Sequence, residues 1–219
     1  ILGEGGMGVV LKCKKPNNSK WIAVKILHPQ KLKNPQDTAL IRRFQREFRC
    51  IKRLNHPQII KVYDFENSPP LFTMELLAGT SLRDYWSQKK RYDESLEFVN
   101  NDDYKKFIAG VLKNILTALD YVHYQRIIHR DPKPGNIFVT DDAGNIKLLD
   151  FGLIKPIDIS VLTTKSDQLM GTPSYISPDQ ILNKRVDNRS DLYSFGILLF
   201  EALTGQLPFP NESMFETLR

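Results

Sequence analysis

The chain has 219 residues, 41% hydrophobic and 26% charged, which fits an ordinary globular protein and excludes a disordered or collagenous one. Two cysteines, Cys13 and Cys50, give neither a disulfide framework nor metal-ligand spacing and suit free thiols in a reducing cytoplasm. A net charge of +6 suits nucleic acid or a polyphosphate equally well, but the basic residues are scattered and no nucleic-acid motif accompanies them.

No basic segment followed by an apolar core opens the chain, so no signal peptide is expected. The longest apolar run, FGILLF, is far short of the ~20 residues a membrane helix needs, although a longer parent chain could still carry a membrane segment. The length suits one large domain or two small lobes sharing a cleft.

In chain order, GEGGMGVV (residues 3–10) comes first. Glycines there let the backbone approach a ligand and aim N–H groups at phosphate oxygens, although a flexible turn is the plain alternative. A dinucleotide fingerprint should open a helix. Here the β-branched pair Val9–Val10 continues as strand, which favours a hairpin flap over phosphates. VVLKCKK and KWIAVKIL, separated by the turn cluster PNNS, read as the two strands of that hairpin.

Within the second strand, Lys25 interrupts an apolar run; alone, a solvent-facing lysine is the better reading. From Asp37 to Leu54 the spacing of Leu40, Phe44, Phe48, Ile51 and Leu54 predicts a helix. Glu47 falls on its apolar stripe, and a buried carboxylate needs a partner. Arg43 would make an i,i+4 surface pair worth about 0.3–0.5 kcal/mol. Lys25 is the alternative, which Glu47 could orient towards nucleotide phosphates. IIKVYDF and PPLFTMELL complete the strands of the first third, and a boundary is expected near Leu77 to Gly79.

The polar, aromatic-dotted stretch from Lys89 to Asp103 reads as a solvated linker. A helix is predicted from Asp102 to Tyr124, with Ile108, Leu112, Ile115, Leu119 and Val122 on one face. Then comes HRDPKPGNIF, residues 129–138, where Pro132 and Pro134 exclude an α-helix and predict an ordered loop entering a strand. IFVTDDAGNIKLLDF reads as two strands joined by a turn. A long polar stretch follows to about Asp179, and an apolar helix is predicted over SDLYSFGILLFEALTG.

The loop and LLDFG (residues 148–152) bring together oxygen donors suited to a hard divalent cation, Asn136 and Asp150. That leaves Asp131 to receive a proton from an attacking hydroxyl and Lys133 to neutralise charge on a transferring phosphoryl group. Each has a plain alternative: Asp150 as a strand-end cap, Asn136 as a turn former, Lys133 as a solvated charge. All three alternatives would have to hold at once.

The ordered series GEGGMG, AVK, helical Glu47, HRDPKPGN, DFG, GTPSYISPD and DLYSFG resembles the protein-kinase superfamily, from Gly3 to about Pro208. Lys133 within HRDxKPxN is similar to the serine/threonine kinases, and RFQREF…LNHP with GTPSYISPDQ is most similar to their bacterial branch. The resemblance implies an α+β, bilobal protein-kinase fold with a small β-rich N-lobe over 1–77 and a larger, mainly helical C-lobe over 78–219.

It further implies that Leu2, Gly3, Glu4, Gly5, Gly6, Met7 and Gly8 flank ATP while Lys25, held by Glu47, binds its α- and β-phosphates. Val10, Ala23 and Phe138 would sandwich adenine, Met74 would be the gatekeeper, and the backbones of Glu75 and Leu77 the hinge. Asn136 and Asp150 would hold Mg2+, with Mn2+ as the alternate. Asp131, aided by Lys133, would deprotonate a protein serine or threonine. Thr163, Thr164 and Ser166 are candidate autophosphorylation sites, where a phosphate could dock on Arg130 and Lys155. Thr172 would instead touch Asp131 and Lys133. Dimerisation would allow trans-autophosphorylation.

Two departures stand out. The usual Ala-Pro-Glu is Ser177–Pro178–Asp179, and the family's last helices are expected beyond Arg219, with the first strand trimmed to Ile1–Leu2. A marginally stable fragment is expected in consequence. The competing readings are a pseudokinase scaffold, a small-molecule kinase, which tends to lack the GT…SPD segment, and a nucleic-acid binder. The first would show losses at Lys25, Glu47, Asp131, Asn136 or Asp150, and there are none.

Overall fold

The computed structural model describes residues 1–5, 8–15, 19–28, 37–92, 97–141, 144–151, 173–182, 184 and 186–209. The chain divides into two compact units, Ile1–Ala78 and Gly79–Arg219.

The first unit is built on an antiparallel sheet. Its strands are β1 (Gly3–Glu4), β2 (Gly8–Lys14), β3 (Trp21–Leu27), β4 (Val62–Asn67) and β5 (Pro70–Met74), in the order β1-β2-β3-β5-β4. β2 and β3 stay in register from Gly8↔Leu27 to Lys14↔Trp21, as two β-branched runs facing each other across a short turn should. Helix α1 (Asp37–Lys52) lies against β4 and β5. Its Phe44 and Phe48 meet Phe65 and Phe72 of the sheet, with ring centroids 5.0–5.9 Å apart. Phe44 and Phe72 are essentially sealed from water, and such residues contribute about 1.5–3 kcal/mol each. The apolar stripe that predicted the helix is the face that builds this core.

The second unit is mainly helical. It begins with β6 (Thr80–Ser81) and α2 (Leu82–Tyr92), and a 3-10 turn at Glu97–Asn100 precedes α3 (Asp102–Tyr124). The linker expected over Lys89–Asp103 is therefore corrected. Its first residues belong to α2, and Phe98 packs edge-on against Tyr104 at 5.1 Å. Phe98 is thus a packing group rather than decoration on a solvated linker. Asn101 caps α3, its Oδ1 accepting from the N–H groups of Asp103 and Tyr104.

β7 (Ile137–Val139) and β8 (Ile146–Leu148) form a small sheet with β6, in the order β6-β7-β8. The loop before β7 closes as one 3-10 turn, Pro134–Asn136. Pro134 sits at its start, where a missing N–H costs nothing. A short helix, α4 (Pro178–Ile181), and α5 (Arg189–Thr204) complete the described elements. Tyr104 Oη donates to the Ala202 carbonyl at 2.8 Å, tying α3 to α5. Val111, Ile115, Val122 and Leu198 are fully buried in the core of this unit.

Candidate active site

In the first unit, Lys25 sits in β3 between Val10 of β2 and Phe72 of β5. It is only 8% exposed, and its Nζ lies 2.7 Å from Oε1 of Glu47, which α1 projects and which is 5% exposed. Alone, either buried charge would be costly; paired at this distance, each offsets the desolvation of the other. The fold thus brings together two residues 22 positions apart whose association the apolar stripe alone left open.

Around them, Gly3 and Glu4 form β1, and Gly5 and Gly8 exchange backbone hydrogen bonds of 2.9 and 3.2 Å. Gly6 and Met7 lie outside the described residues. The exposed Leu2 donates its N–H to the Val10 carbonyl at 2.8 Å. Ala23 is buried and faces Met74 in register across β3 and β5, while Val10 and Leu77 are half-buried. Glu75 donates its N–H to the Lys61 carbonyl at 2.9 Å and accepts the Lys61 N–H on Oε1 at 2.8 Å. Phe138 belongs to the second unit, in β7, opposite Ser81 and Lys147.

In the second unit, the carboxylate of Asp131 is the centre of a polar cluster. Its Oδ2 accepts from Lys133 Nζ at 2.9 Å and from Asn136 Nδ2 at 3.0 Å. Asn136 Nδ2 also donates to the Asp131 carbonyl at 2.9 Å, so the 3-10 turn folds its amide back onto the loop. Two donors, one of them cationic, thus converge on one carboxylate oxygen.

His129 is fully buried, with its ring 4.5 Å from that of Phe151. Burial pushes its pKa down, against the opposing pull of Asp191, Asp131 and Asp150. The hydrogen bonds agree with a neutral ring: Nδ1 accepts from the Asp131 N–H at 3.3 Å, and Nε2 donates to the Leu149 carbonyl at 3.0 Å. Leu149 donates its own N–H to the Asn136 carbonyl at 2.8 Å. These bonds tie the Asp131 loop to the chain just before Asp150, an exposed residue at φ 40°.

The donor set suits a hard divalent cation. The Asn136 amide nitrogen is committed to Asp131, so its oxygen is the atom that could ligate a cation, and Asp150 could add a carboxylate. One amide and one carboxylate oxygen are donor types that a hard divalent cation takes. No larger cluster of histidine, cysteine, aspartate and glutamate occurs among the described residues.

Asp191 has a structural part in this site that the motif DLYSFG alone did not disclose. Fully buried in the first turn of α5, it accepts the Arg130 N–H on Oδ1 at 2.7 Å and the His129 N–H on Oδ2 at 2.9 Å. His123 Nε2 is a further 2.7 Å from Oδ2. Arg130 adopts φ 69°, a left-handed conformation unusual for a side-chain-bearing residue. The sequence signal was a carboxylate opening an otherwise apolar helix, which demands buried donors. Thr163, Thr164, Ser166, Thr172 and Lys155 lie outside the described residues. Asp179 is exposed in α4.

Residues 1–218 match the family described as protein kinase domain. Among curated relatives, the chain is 34% identical over 218 residues to serine/threonine-protein kinase Pkn1 of Myxococcus xanthus, covering 97% of this chain and 29% of that protein. It is 36% identical over 225 residues to probable serine/threonine-protein kinase PknB of Bifidobacterium longum, covering 97% and 30%. PrkC of Bacillus subtilis, a serine/threonine-protein kinase, is 33% identical over 215 residues, covering 97% and 31%. The chain thus spans about 30% of the length of these relatives.

Proposed function

Because the chain belongs to the protein kinase domain family, we propose that it transfers the γ-phosphoryl group of ATP to serine and threonine hydroxyls of proteins. The observation that carries this reading is the Asp131 carboxylate held by Lys133 and Asn136 at 2.9 and 3.0 Å, on a loop buttressed by Asp191.

The first unit contributes nucleotide binding: Lys25, oriented by Glu47, engages the α- and β-phosphates, and the backbone around Gly3–Gly8 covers them. The flanking residues Leu2, Val10, Ala23, Met74, Glu75 and Leu77 contribute to the nucleotide site. The second unit contributes the chemistry. Asp131 orients the substrate hydroxyl and takes its proton as the new oxygen–phosphorus bond forms. The bond from the γ-phosphorus to the bridging oxygen breaks, and ADP leaves. Lys133 offsets charge on the phosphoryl oxygens in flight.

A magnesium ion held by Asn136 and Asp150, with manganese as a substitute, would neutralise phosphate charge. Autophosphorylation at Thr163, Thr164 or Ser166, in trans within a transient dimer, belongs to the same reading. So does a cytoplasmic kinase domain, where ATP is available and Cys13 and Cys50 stay free. Among the described residues, no helix is long and apolar enough to cross a membrane.

The test is phosphate transfer by the full-length protein from magnesium ATP to a generic basic protein and to itself, beside Asp131→Asn. Incorporation on serine or threonine that vanishes in the variant is expected. ATP-dependent stabilisation of both proteins without transfer by either would favour a nucleotide-binding scaffold instead. Unchanged autophosphorylation after replacing Thr163, Thr164 and Ser166 by alanine would remove those positions as sites.

A further inference from the structure

We propose that Gln180 is a positioning residue for Asp131, its side-chain amide fixing the peptide plane that leads into the proposed base. The inference rests on the kinase reading for its catalytic consequence, but its geometry stands apart from it.

Gln180 occupies the third position of α4, where its Oε1 closes a capping box with Ser177. It accepts from the Ser177 N–H at 3.3 Å and from Ser177 Oγ at 3.0 Å, and Ser177 Oγ accepts the Gln180 N–H at 3.4 Å. A glutamate would close such a box as well as a glutamine. The amide nitrogen has a separate partner: Nε2 donates to the Arg130 carbonyl at 2.9 Å, 50 residues away in sequence. The orientation is unambiguous. The opposite flip would set Nε2 against the Ser177 N–H, donor to donor, and Oε1 against the Arg130 carbonyl, acceptor to acceptor.

The carbonyl that Gln180 holds belongs to the peptide unit joining Arg130 to Asp131. The other end of that unit is held too, since the Asp131 N–H donates to His129 Nδ1 at 3.3 Å. Arg130 itself is left-handed at φ 69°, with its N–H on Asp191 Oδ1 at 2.7 Å. A side-chain-bearing residue in that region persists only where its surroundings over-determine it. Asp191 fixes the peptide before Arg130, and Gln180 with His129 fixes the peptide after it. Rotation of that second peptide would re-aim Asp131, and small misplacements of a reacting group are costly in rate.

The discriminating pair is Gln180→Glu and Ser177→Ala in the full-length protein. Q180E keeps an acceptor for the capping box but places an oxygen against the Arg130 carbonyl. S177A weakens the cap and leaves the amide link. Expected for Q180E is a fall in kcat of roughly tenfold or more, with KM for ATP within about threefold. Amide hydrogen exchange at Asp131 should also accelerate. S177A should lower the melting temperature without either change. Wild-type kcat and exchange in Q180E, or an equal fall in both variants, would overturn the proposal. Should Q180E fail to fold, Gln180→Met removes the donor without adding charge and is judged by the same two readouts. If the wild-type protein transfers no phosphate, the kinase reading fails, while the exchange comparison still decides whether Gln180 holds the loop.

Discussion

Asp191 and Arg130, 61 residues apart in sequence, meet at 2.7 Å between a carboxylate oxygen and a backbone N–H, with no part of the Asp191 side chain exposed. The second oxygen takes the His129 N–H and lies against His123. A carboxylate is the one side chain of this size that accepts on both atoms. Asp191→Asn keeps the volume but turns one acceptor into a donor, leaving a buried N–H facing another. An unsatisfied buried group costs about 1–3 kcal/mol, more where a charged partner is lost. A stability loss of roughly 2–4 kcal/mol is expected, together with a fall in kcat. Urea unfolding alongside initial rates checks both. A variant unchanged in either would show that Asp191 does not hold the loop.

Lys25 and Glu47 form a buried pair of a different kind, joining a strand to a helix at 2.7 Å. Breaking a buried pair by removing one partner costs about 3–5 kcal/mol. Replacing both by apolar groups of similar size is far milder. Lys25→Met and Glu47→Leu should each lower the denaturation midpoint strongly, and the double variant should recover most of the loss. Nucleotide-induced stabilisation should be lost in all three. Recovery of folding with retained ATP stabilisation would separate the pair from nucleotide binding.

Elements with a repeating apolar stripe were the legible ones. α1 and α3 announce themselves because Phe44, Phe48 and Ile51, or Ile108, Ile115 and Leu119, recur at helical spacing and form cores. α2 was harder to see. LRDYWSQKKRY buries Leu82 and Trp86 but surrounds them with charge, and it packs against β7 and the 3-10 turn at Pro134–Asn136, far along the chain. Glu47 was conspicuous because a carboxylate stood on an apolar face. The links of Asp191 and Gln180 were not, since they join positions 50 or more residues apart and end on backbone atoms, which carry no sequence signature.

His129 gives the site a pH dependence with a definite sign. Buried and held neutral, its pKa lies below the ordinary value near 6.5, whereas the unfolded chain protonates there. Below about pH 6.5 the unfolded state therefore binds the extra proton. Stability falls with decreasing pH by up to about 1.4 kcal/mol per unit until the folded pKa is reached. His129→Gln retains a donor for the Leu149 carbonyl and cannot titrate. Melting temperatures between pH 7.5 and 5.5 should fall more steeply for the wild type than for this variant. Parallel curves would show that another group governs the acid limb.

Gly3, Gly5 and Gly8 divide into two physical classes. A Cβ on Gly8 would sit 2.0 Å from the Ile26 carbonyl oxygen, inside the β2–β3 pairing, whereas one on Gly3 or Gly5 would meet nothing within 4 Å. Gly8 is therefore required by strand packing, and the openness at Gly5 is what close approach of a phosphate would use. Gly8→Ala should cost roughly 2 kcal/mol or more, because the obstructing atom is backbone and cannot turn aside. Gly5→Ala should stay within about 0.5 kcal/mol of wild type without nucleotide. If Gly5 lies against the phosphates, its thermal shift with magnesium ATP should shrink, since ligand stabilisation follows RT ln(1 + [L]/Kd). Melting curves with and without ATP separate the two effects. A full ATP shift in Gly5→Ala would limit the phosphate contact to other parts of the flap.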